Sequence, residues 1–293
     1  MKHRCFICVQ SVFHLWPINL HDMIDRRTTT RKRREQTMSE TKRRTFLKAA
    51  AGTAVIGGVS APAARTQAQD VSTMVPGYEY RLPKLAKGST LLFQGDSITD
   101  MKWGRNQKDR NHYLGHSYVF LIASRLHTDM PEAKLNFLNR GMSGHTVPDL
   151  QKRWQKDTVD LKPNVLSVLI GINDVGRAVR AKKEVDPVAY EQGYRDLLTQ
   201  SRAANEKLKL VLVEPFVLPV KRDWRGQVDR IRPVVAKLAE EFNAVLIPMQ
   251  SVFDEAAKRT GPEHWIWDGV HPLPQGHELI ARTWIQKVAG AWA

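Results

Sequence analysis

Short apolar runs alternate with longer amphipathic stretches from about residue 80 to the end of the chain. The short runs predict buried strands, and the amphipathic stretches predict helices that cover a core. The predicted strands are TLLFQG (90–95), KLNFLNRG (134–141), NVLSVLIG (164–171), KLVLVEP (209–215) and AVLIPM (244–249). The predicted helices lie near 116–128, 147–157, 187–205, 226–242, 250–260 and 275–291.

Strands that alternate with helices predict a parallel sheet whose two faces are both covered. No internal repeat and no Pro/Gly-rich linker divides this part of the chain. We therefore predict one domain over residues 89–293, of the α/β class, with a five-stranded parallel sheet in a three-layer α/β/α arrangement. Residues 69–88 form a short lead-in segment.

The N-terminal part of the chain has a different pattern. In TKRRTFLKAAAGTAVIGGVSAPAARTQAQ (41–69), the pair Arg43-Arg44 precedes an Ala/Gly/Val-rich run, and small residues follow. This order predicts a twin-arginine-type export signal over residues 38–68. The protein is then expected to be exported, and to be periplasmic or secreted. Residues 1–37 are not needed by such a signal, and we interpret them as a mis-assigned extension before Met38.

A retained membrane anchor is the alternative for this segment. The apolar run spans about fifteen residues, which is short for a membrane helix of about twenty residues. We therefore expect no stable membrane insertion after the signal is cleaved.

The charge of the chain is concentrated near its N-terminus. The formal charge is +15, but residues 1–68 hold 13 Lys/Arg against 4 Asp/Glu, which leaves a net charge of only +6 for the rest. A nucleic-acid partner is therefore not expected. The two cysteines, Cys5 and Cys8, also lie in this N-terminal part, so the predicted domain has no disulfide.

Polar clusters follow the predicted strands, where open α/β sheets bind ligands. Asp96 and Ser97 follow the first strand, GMSGHT (141–146) the second, and GINDVG (171–176) the third, while WDGVHP (267–272) precedes the last helix. We expect all four clusters to meet at one edge of the sheet.

These clusters contain what ester chemistry requires, namely a nucleophile, a base held in one tautomer, and donors to the oxyanion. We predict Ser97 as the nucleophile, His271 as the base and Asp268 as the group that orients the base. The backbone N–H groups of Ser97 and Gly144 and the side-chain amide of Asn173 would form the oxyanion hole. The alternative for Ser97 is that it caps a helix, as serines at strand-to-helix turns commonly do.

The blocks GDSITD, NRGMSGHT, GINDV and DGVHP resemble, in this order, those of the SGNH (or GDSL) hydrolase family. The resemblance runs from about Leu91 to the C-terminus, and it is greatest to the bacterial acetylxylan-esterase branch. It implies a flavodoxin-like fold, an SGNH hydrolase domain over residues 89–293, and no metal or other cofactor. The family's key residues fall on Ser97, Gly144, Asn173 and His271, and Asp268 completes the triad.

The resemblance implies a serine esterase that removes O-acetyl or other short acyl groups from carbohydrate esters. A broad short-chain esterase, thioesterase or lysophospholipase of the same family is the first alternative, and a non-catalytic carbohydrate-binding protein is the second. The expected partner is a small-molecule or oligosaccharide ester, and self-association into a homo-oligomer is left open.

Candidate pocket residues are Asp96, His145 and Trp267. His145 stands where the acetylxylan-esterase branch has Asn, and it either donates at the pocket wall or packs at the rim. Trp267 either stacks on a sugar ring or packs in the core. The role of Arg177 is open. HELIA (277–281) lacks the second His of a zinc-protease motif, and we predict that it lies on a helix surface.

Overall fold

The computed structural model describes residues 81–221 and 223–292. The predicted extension (1–37) and export signal (38–68) lie outside the described residues, as does most of the lead-in segment (69–88).

The sheet has five parallel strands in the order β2-β1-β3-β4-β5. This order is the flavodoxin-like one, and it confirms the predicted fold class. The strands are β1 (Thr90–Gly95), β2 (Asn136–Gly141), β3 (Val165–Leu169), β4 (Lys209–Val213) and β5 (Val245–Ile247). Each lies within a predicted apolar run.

The helices in the described part of the chain are α1 (Ser97–Asp100), α2 (Tyr118–Asp129), α3 (Val147–Gln151), α4 (Trp154–Asp157), α5 (Ile172–Arg180), α6 (Pro187–Ala204), α7 (Arg225–Glu241), α8 (Met249–Thr260) and α9 (Pro274–Ala291). Three short 3₁₀ turns join them at Pro131–Ala133, Val159–Leu161 and Pro262–His264.

Helices cover both faces of the sheet, which explains why most positions in the strands are apolar. On one face, the ring of Phe93 in β1 packs 6.1 Å from Tyr118 of α2 and 5.6 Å from Trp284 of α9. The Trp284 indole N–H donates to Ser167, a buried hydroxyl in β3, at 3.0 Å. On the other face, the Tyr194 hydroxyl of α6 donates to a β3 carbonyl. Every strand side chain in the centre therefore meets a helix.

Helix α5 was not predicted, and the third predicted strand was too long. The sequence GINDVG was interpreted as a polar loop, but the chain turns at Gly171 and enters a helix at once. The predicted helix 147–157 is in fact two short helices. It breaks because Arg153 leaves the helical region (φ −121°, ψ 3°).

The prediction that HELIA lies on a helix surface was wrong, because His277, Ile280 and Ala281 are buried and the other two residues are half-buried. His277 is 2% exposed, and its Nδ1 accepts a hydrogen bond from the Tyr118 backbone N–H at 3.2 Å. Burial lowers the pKa of His277 to about 3, so the ring is neutral. This histidine belongs to the contact between α2 and α9.

The end of β2 touches the backbone of α1 so closely that only glycine fits there. A Cβ on Gly141 would lie 2.3 Å from the Asp100 backbone nitrogen. A Cβ on Gly226, near the start of α7, would have no other atom within 4 Å. These two glycines form a matched pair, one constrained by space and one not.

We predict that Gly141→Ala lowers the free energy of unfolding by about 2–3 kcal/mol, because α1 must move away from the strand. Gly226→Ala should instead raise it by about 0.5 kcal/mol, because alanine favours the helix. Urea denaturation of both variants measures the two effects. An unchanged urea midpoint for Gly141→Ala would show that α1 can move away from β2 at little cost, which would contradict the prediction.

Candidate active site

The four polar clusters meet at the carboxyl edge of the sheet, as expected from the sequence. Ser97 begins α1 directly after β1, and Asn173 lies in the first turn of α5 after β3. Gly144 lies in the loop between β2 and α3. His271 lies in the loop before α9 and reaches Ser97 across 174 residues of chain.

Ser97, His271 and Asp268 form a continuous chain of hydrogen bonds. Ser97 Oγ lies 2.9 Å from His271 Nε2, and His271 Nδ1 lies 3.0 Å from Asp268 Oδ2. A carboxylate only accepts, so Nδ1 carries the proton and Nε2 is left to accept from the serine hydroxyl. The arrangement can therefore draw a proton from Ser97.

The loop itself holds the Asp268 carboxylate in place. Its Oδ1 accepts from the backbone N–H groups of Val270 and His271 at 3.0 and 2.9 Å. Burial favours the neutral carboxyl, but the hydrogen bonds from His271 and Val270 outweigh it and hold the pKa of Asp268 below its usual range. The carboxylate is thus ionised and fixed beside the imidazole.

Asp96, not Ser97, caps helix α1. Its Oδ1 accepts from the Ile98 backbone N–H at 3.0 Å, which leaves the Ser97 hydroxyl free for His271. Asp96 was predicted as a pocket residue, but it is 1% exposed and lies beneath Ser97. Burial raises its pKa to about 7.

Three N–H groups are available as oxyanion donors. The backbone N–H groups of Ser97 and Gly144 donate to no other group within the described part of the chain. Gly144 has φ +81°, a conformation that glycine adopts without strain. The Asn173 side-chain amide donates to the His145 carbonyl at 3.1 Å and keeps a second hydrogen. The oxyanion hole remains a prediction with compatible geometry.

The oxyanion loop, residues 142–145, is tied to both sides of Ser97. The Met142 backbone N–H donates to the Gly95 carbonyl at 3.0 Å. The backbone N–H and hydroxyl of Ser143 donate to Asp100 Oδ2 at 2.9 and 2.7 Å. Asp100 therefore couples α1 to the loop that holds Gly144.

The role of Asp100 was not foreseen, although it is the last residue of the block GDSITD. Burial raises the pKa of Asp100, but hydrogen bonds from Arg105 and Ser143 lower it further, so the carboxylate is ionised. Arg105 also donates to the Gly141 carbonyl at 3.2 Å. The sequence did offer a signal, because Asp100 is an acidic residue in the GDSITD block that has no role in the predicted triad.

Helix α5 holds the oxyanion loop from the other side. Arg177, whose role the sequence left open, donates to the Gly144 carbonyl at 3.3 Å and to the Asp149 carboxylate. Asp174 accepts from the Val147 backbone N–H at 3.2 Å, and burial raises its pKa to about 7. The helix missed from the sequence thus supports both Asn173 and Gly144.

His145 is half-buried beside the oxyanion loop and contacts Arg153. Arg153 Nε donates to His145 Nδ1 at 3.2 Å, and the same guanidinium pairs with Asp157 at 3.1 Å. His145 therefore does more than pack at the rim. Arg153 was not singled out from the sequence, because its side chain reaches back over eight residues.

Trp267 is 60% exposed, so the core-packing alternative was wrong. Its backbone N–H donates to the His271 carbonyl at 2.9 Å, and the Lys221 ammonium lies 4.5 Å from its ring centroid. The residue therefore adjoins the triad through its backbone, and its indole lies at the surface beside Lys221. Stacking on a sugar remains a prediction.

An open cavity of about 230 Å³ lies between α5 and the start of α6, and Ser97, Gly144, Asn173 and His271 are not among its lining residues. It is lined by Thr146, Pro148, Asp174, Arg177, Ala178, Val185, Asp186, Ala189 and Tyr190. A larger cavity of about 380 Å³ is lined by residues that include Pro163 and Leu208. These two residues precede β3 and β4, so that cavity lies at the opposite edge of the sheet from Ser97.

A sequence profile of the GDSL-like lipase/acylhydrolase family matches residues 93–279. The chain is also similar to a solved structure of a protein assigned as a GDSL-like lipase from Parabacteroides merdae. That structure has a TM-score of 0.68 and 34% sequence identity, over 72% of this chain and 99% of the other.

An acetylxylan esterase from Geobacillus stearothermophilus is 33% identical over 216 residues, which is 71% of this chain and 98% of the esterase. A solved structure of an acetylxylan esterase from that organism has a TM-score of 0.64. It matches 70% of this chain and 96% of the other, with 34% identity. Its solved catalytic mutants replace a serine, an aspartate or a histidine by alanine, the last two being three positions apart.

A shorter similarity extends to a lipoprotein of Bacillus subtilis (strain 168), the uncharacterized YqeF. It is 29% identical over 123 residues, which is 42% of this chain and 47% of the lipoprotein.

Proposed function

This chain belongs to the GDSL-like lipase/acylhydrolase family and is a carboxylic ester hydrolase, and we propose that it is a serine esterase that removes O-acetyl groups from carbohydrate esters. The observation that carries the proposal is the chain of hydrogen bonds from Ser97 through His271 to Asp268, at 2.9 and 3.0 Å. The acetylxylan esterase that the chain matches has a catalytic aspartate and histidine at the same spacing as Asp268 and His271.

Acyl transfer starts at Ser97. Its Oγ attacks the ester carbonyl carbon while His271 Nε2 takes the hydroxyl proton, and Asp268 stabilises the resulting imidazolium. When the tetrahedral intermediate collapses, the bond to the alcohol oxygen breaks and His271 returns the proton to that oxygen. Water then attacks the acyl-enzyme by the same route, and a carboxylic acid leaves.

The developing oxyanion takes hydrogen bonds from the N–H groups of Ser97 and Gly144 and from Asn173. Such donors act most strongly when they are already in place, because no reorganisation is then needed at the moment of reaction. Asp100 and Arg177 hold the loop on its two sides, which supports this role. Loss of one donor typically lowers kcat by about 10²–10³-fold.

A carbohydrate acetate is the substrate class that the site supports best. Trp267 adjoins the triad through its backbone, and its exposed indole offers a flat surface for a sugar ring. The acetylxylan esterase relative, matched over nearly its whole length, adds to this support.

The first alternative is a broad short-chain esterase, thioesterase or lysophospholipase, because one fold and one triad serve many esters. Membership of a hydrolase family argues against the second alternative, a non-catalytic carbohydrate-binding protein. The leaving group therefore decides between the proposal and its alternative.

We further propose that the protein is exported through the signal at residues 38–68. The support comes from the Arg43-Arg44 pair ahead of an apolar run, and from the similarity to a lipoprotein, a class that bacteria export. Within the described residues, no helix has the length and apolar character needed to cross a membrane.

Ser97→Ala and His271→Ala should each remove most of kcat, and the double variant should be little worse, because the two residues act as a unit. A fluorophosphonate should label wild-type Ser97 and leave Ser97→Ala unlabelled. Asp268→Asn should be milder if the loop still holds the ring. Additive losses for the single changes would contradict a shared mechanism.

Acetate release from acetylated xylo-oligosaccharides tests the substrate. We expect release at rates above those for acyl esters of eight to ten carbons, measured with the same enzyme preparation. Ser97→Ala serves as the control for spontaneous hydrolysis. A preference for eight or more carbons, with no acetate freed from any acetylated sugar, would favour the alternative esterase.

N-terminal sequencing of protein recovered from a native host tests export. A mature N-terminus near Gln69, outside the cytoplasm, is the expected result. An Arg43→Lys/Arg44→Lys variant should then accumulate with its signal uncleaved. Finding the wild type intact in the cytoplasm would refute the signal.

A further inference from the structure

The contact between Arg153 and His145 fixes where the imidazole proton lies. A guanidinium has no acceptor, so the 3.2 Å contact from Arg153 Nε requires His145 Nδ1 to be the acceptor. A neutral imidazole has one N–H, and here it must be on Nε2. The Arg153 donor alone thus fixes the neutral ring of His145 as the Nε2–H tautomer.

The Nε2 edge of His145 is open. The ring is half-buried, and Nε2 has no hydrogen-bond partner in the part of the chain that the structure describes. It is also absent from the side-chain atoms that are sealed there without a partner. The free N–H therefore points away from Arg153 to a place that a ligand or solvent can reach.

The backbone of His145 places this ring next to the reacting centre. The residue follows Gly144, and its carbonyl accepts from Asn173 at 3.1 Å. Its loop is bonded to Gly95 and Asp100, which flank Ser97 on either side. A group bound at the Nε2 edge would therefore contact the residue that directly follows Gly144 in the oxyanion loop.

Charged groups around the ring oppose its protonation. Burial lowers the pKa of His145, the neighbouring Arg153 lowers it further, and Arg177 and Lys152 act in the same direction. Asp149 acts in the opposite direction and raises it. Arg153 keeps its charge because Asp157 pairs with it at 3.1 Å.

We propose that His145 is a specificity-determining residue, held by Arg153 as the Nε2–H tautomer, that donates a hydrogen bond to an oxygen of the sugar next to the acetyl ester. The proposal rests on the proposed function for the nature of the substrate. Arg153 is a positioning residue, since it touches His145 and not the substrate. Burial and the neighbouring cations favour the neutral ring, which is the form that donates from Nε2 alone.

Nuclear magnetic resonance of the full-length protein, labelled with ¹⁵N-histidine, tests the tautomer without any substrate. His145, assigned with a His145→Asn variant, should show a protonated Nε2 and an unprotonated Nδ1. Arg153→Met should mix the tautomers and raise the pKa of His145. Arg153→Lys, which keeps a cationic donor, should restore much of the wild-type signal.

Lys152→Met is the matched control, because Lys152 is a neighbouring cation that forms no hydrogen bond with His145. It should leave the tautomer unchanged. A protonated Nδ1 in the wild type would overturn the proposal, as would an unaltered spectrum in Arg153→Met. If Arg153→Met does not fold, the wild-type and Arg153→Lys spectra decide the question.

Kinetics test the contact with the sugar. His145→Phe should lower kcat/KM for an acetylated xylo-oligosaccharide by about threefold to tenfold, the loss expected for one neutral hydrogen bond. The same variant should lower kcat/KM for 4-nitrophenyl acetate by a clearly smaller factor, because that ester has no sugar oxygen for the side chain to contact. His145→Asn keeps an N–H donor and should retain more activity on the sugar.

Equal losses on both esters would overturn the specificity role and leave His145 as a support for the oxyanion loop. If the wild type cleaves 4-nitrophenyl acetate but no sugar acetate, the sugar contact fails together with the proposed function. The spectra then still confirm or refute the hold of Arg153 on His145, so the two failures can be told apart.

Discussion

The close packing of α1 against the end of β2 is the constraint on which the site depends. Gly141 lets the end of β2 approach the Asp100 backbone closely, and α1 starts at Ser97, just after β1. That start puts Ser97 at the carboxyl edge of the sheet and Asp100 within reach of Ser143. This close contact thus helps to fix the positions of Ser97 and of the loop that carries Gly144.

Four aspartates lie around this edge of the sheet, and their local environments shift their pKa values in opposite directions. Asp100 and Asp268 are buried, yet each accepts several hydrogen bonds, and their pKa values stay below the usual range. Asp96 and Asp174 receive fewer hydrogen bonds, and burial raises the pKa of each to about 7. The ionised pair orients His271 and the oxyanion loop, while the other pair adds little negative charge beneath Ser97 below neutral pH, which favours an oxyanion there.

The parts of the fold that follow from local pattern could be predicted from the sequence, and the parts that depend on long-range contacts could not. All five strands were found because parallel strands buried on both faces are apolar throughout. The contact of Ser97 with His271 and of His271 with Asp268 was expected because their motifs follow a strand end or precede a helix, while their catalytic roles stay a prediction. Helix α5 was missed because its first turn carries the polar residues of the site. Arg153 was missed because its partner, His145, is defined only by the fold.

His145 shows where the sequence and the structure contribute differently to specificity. The sequence shows a histidine after Gly144, but a lone imidazole is a donor, an acceptor or a cation depending on its neighbours. The Arg153 contact fixes which ring nitrogen of His145 accepts and which donates, and the surrounding cations oppose the charged form of the ring. The triad needs the same kind of information for His271, and there Asp268 supplies it. The two histidines thus have opposite hydrogen-bonding roles at Nε2, since His271 Nε2 is an acceptor and His145 Nε2 carries a proton that it can donate. An ester whose alcohol carries a neighbouring oxygen can use both, with the serine proton passing to one ring while the oxygen accepts from the other.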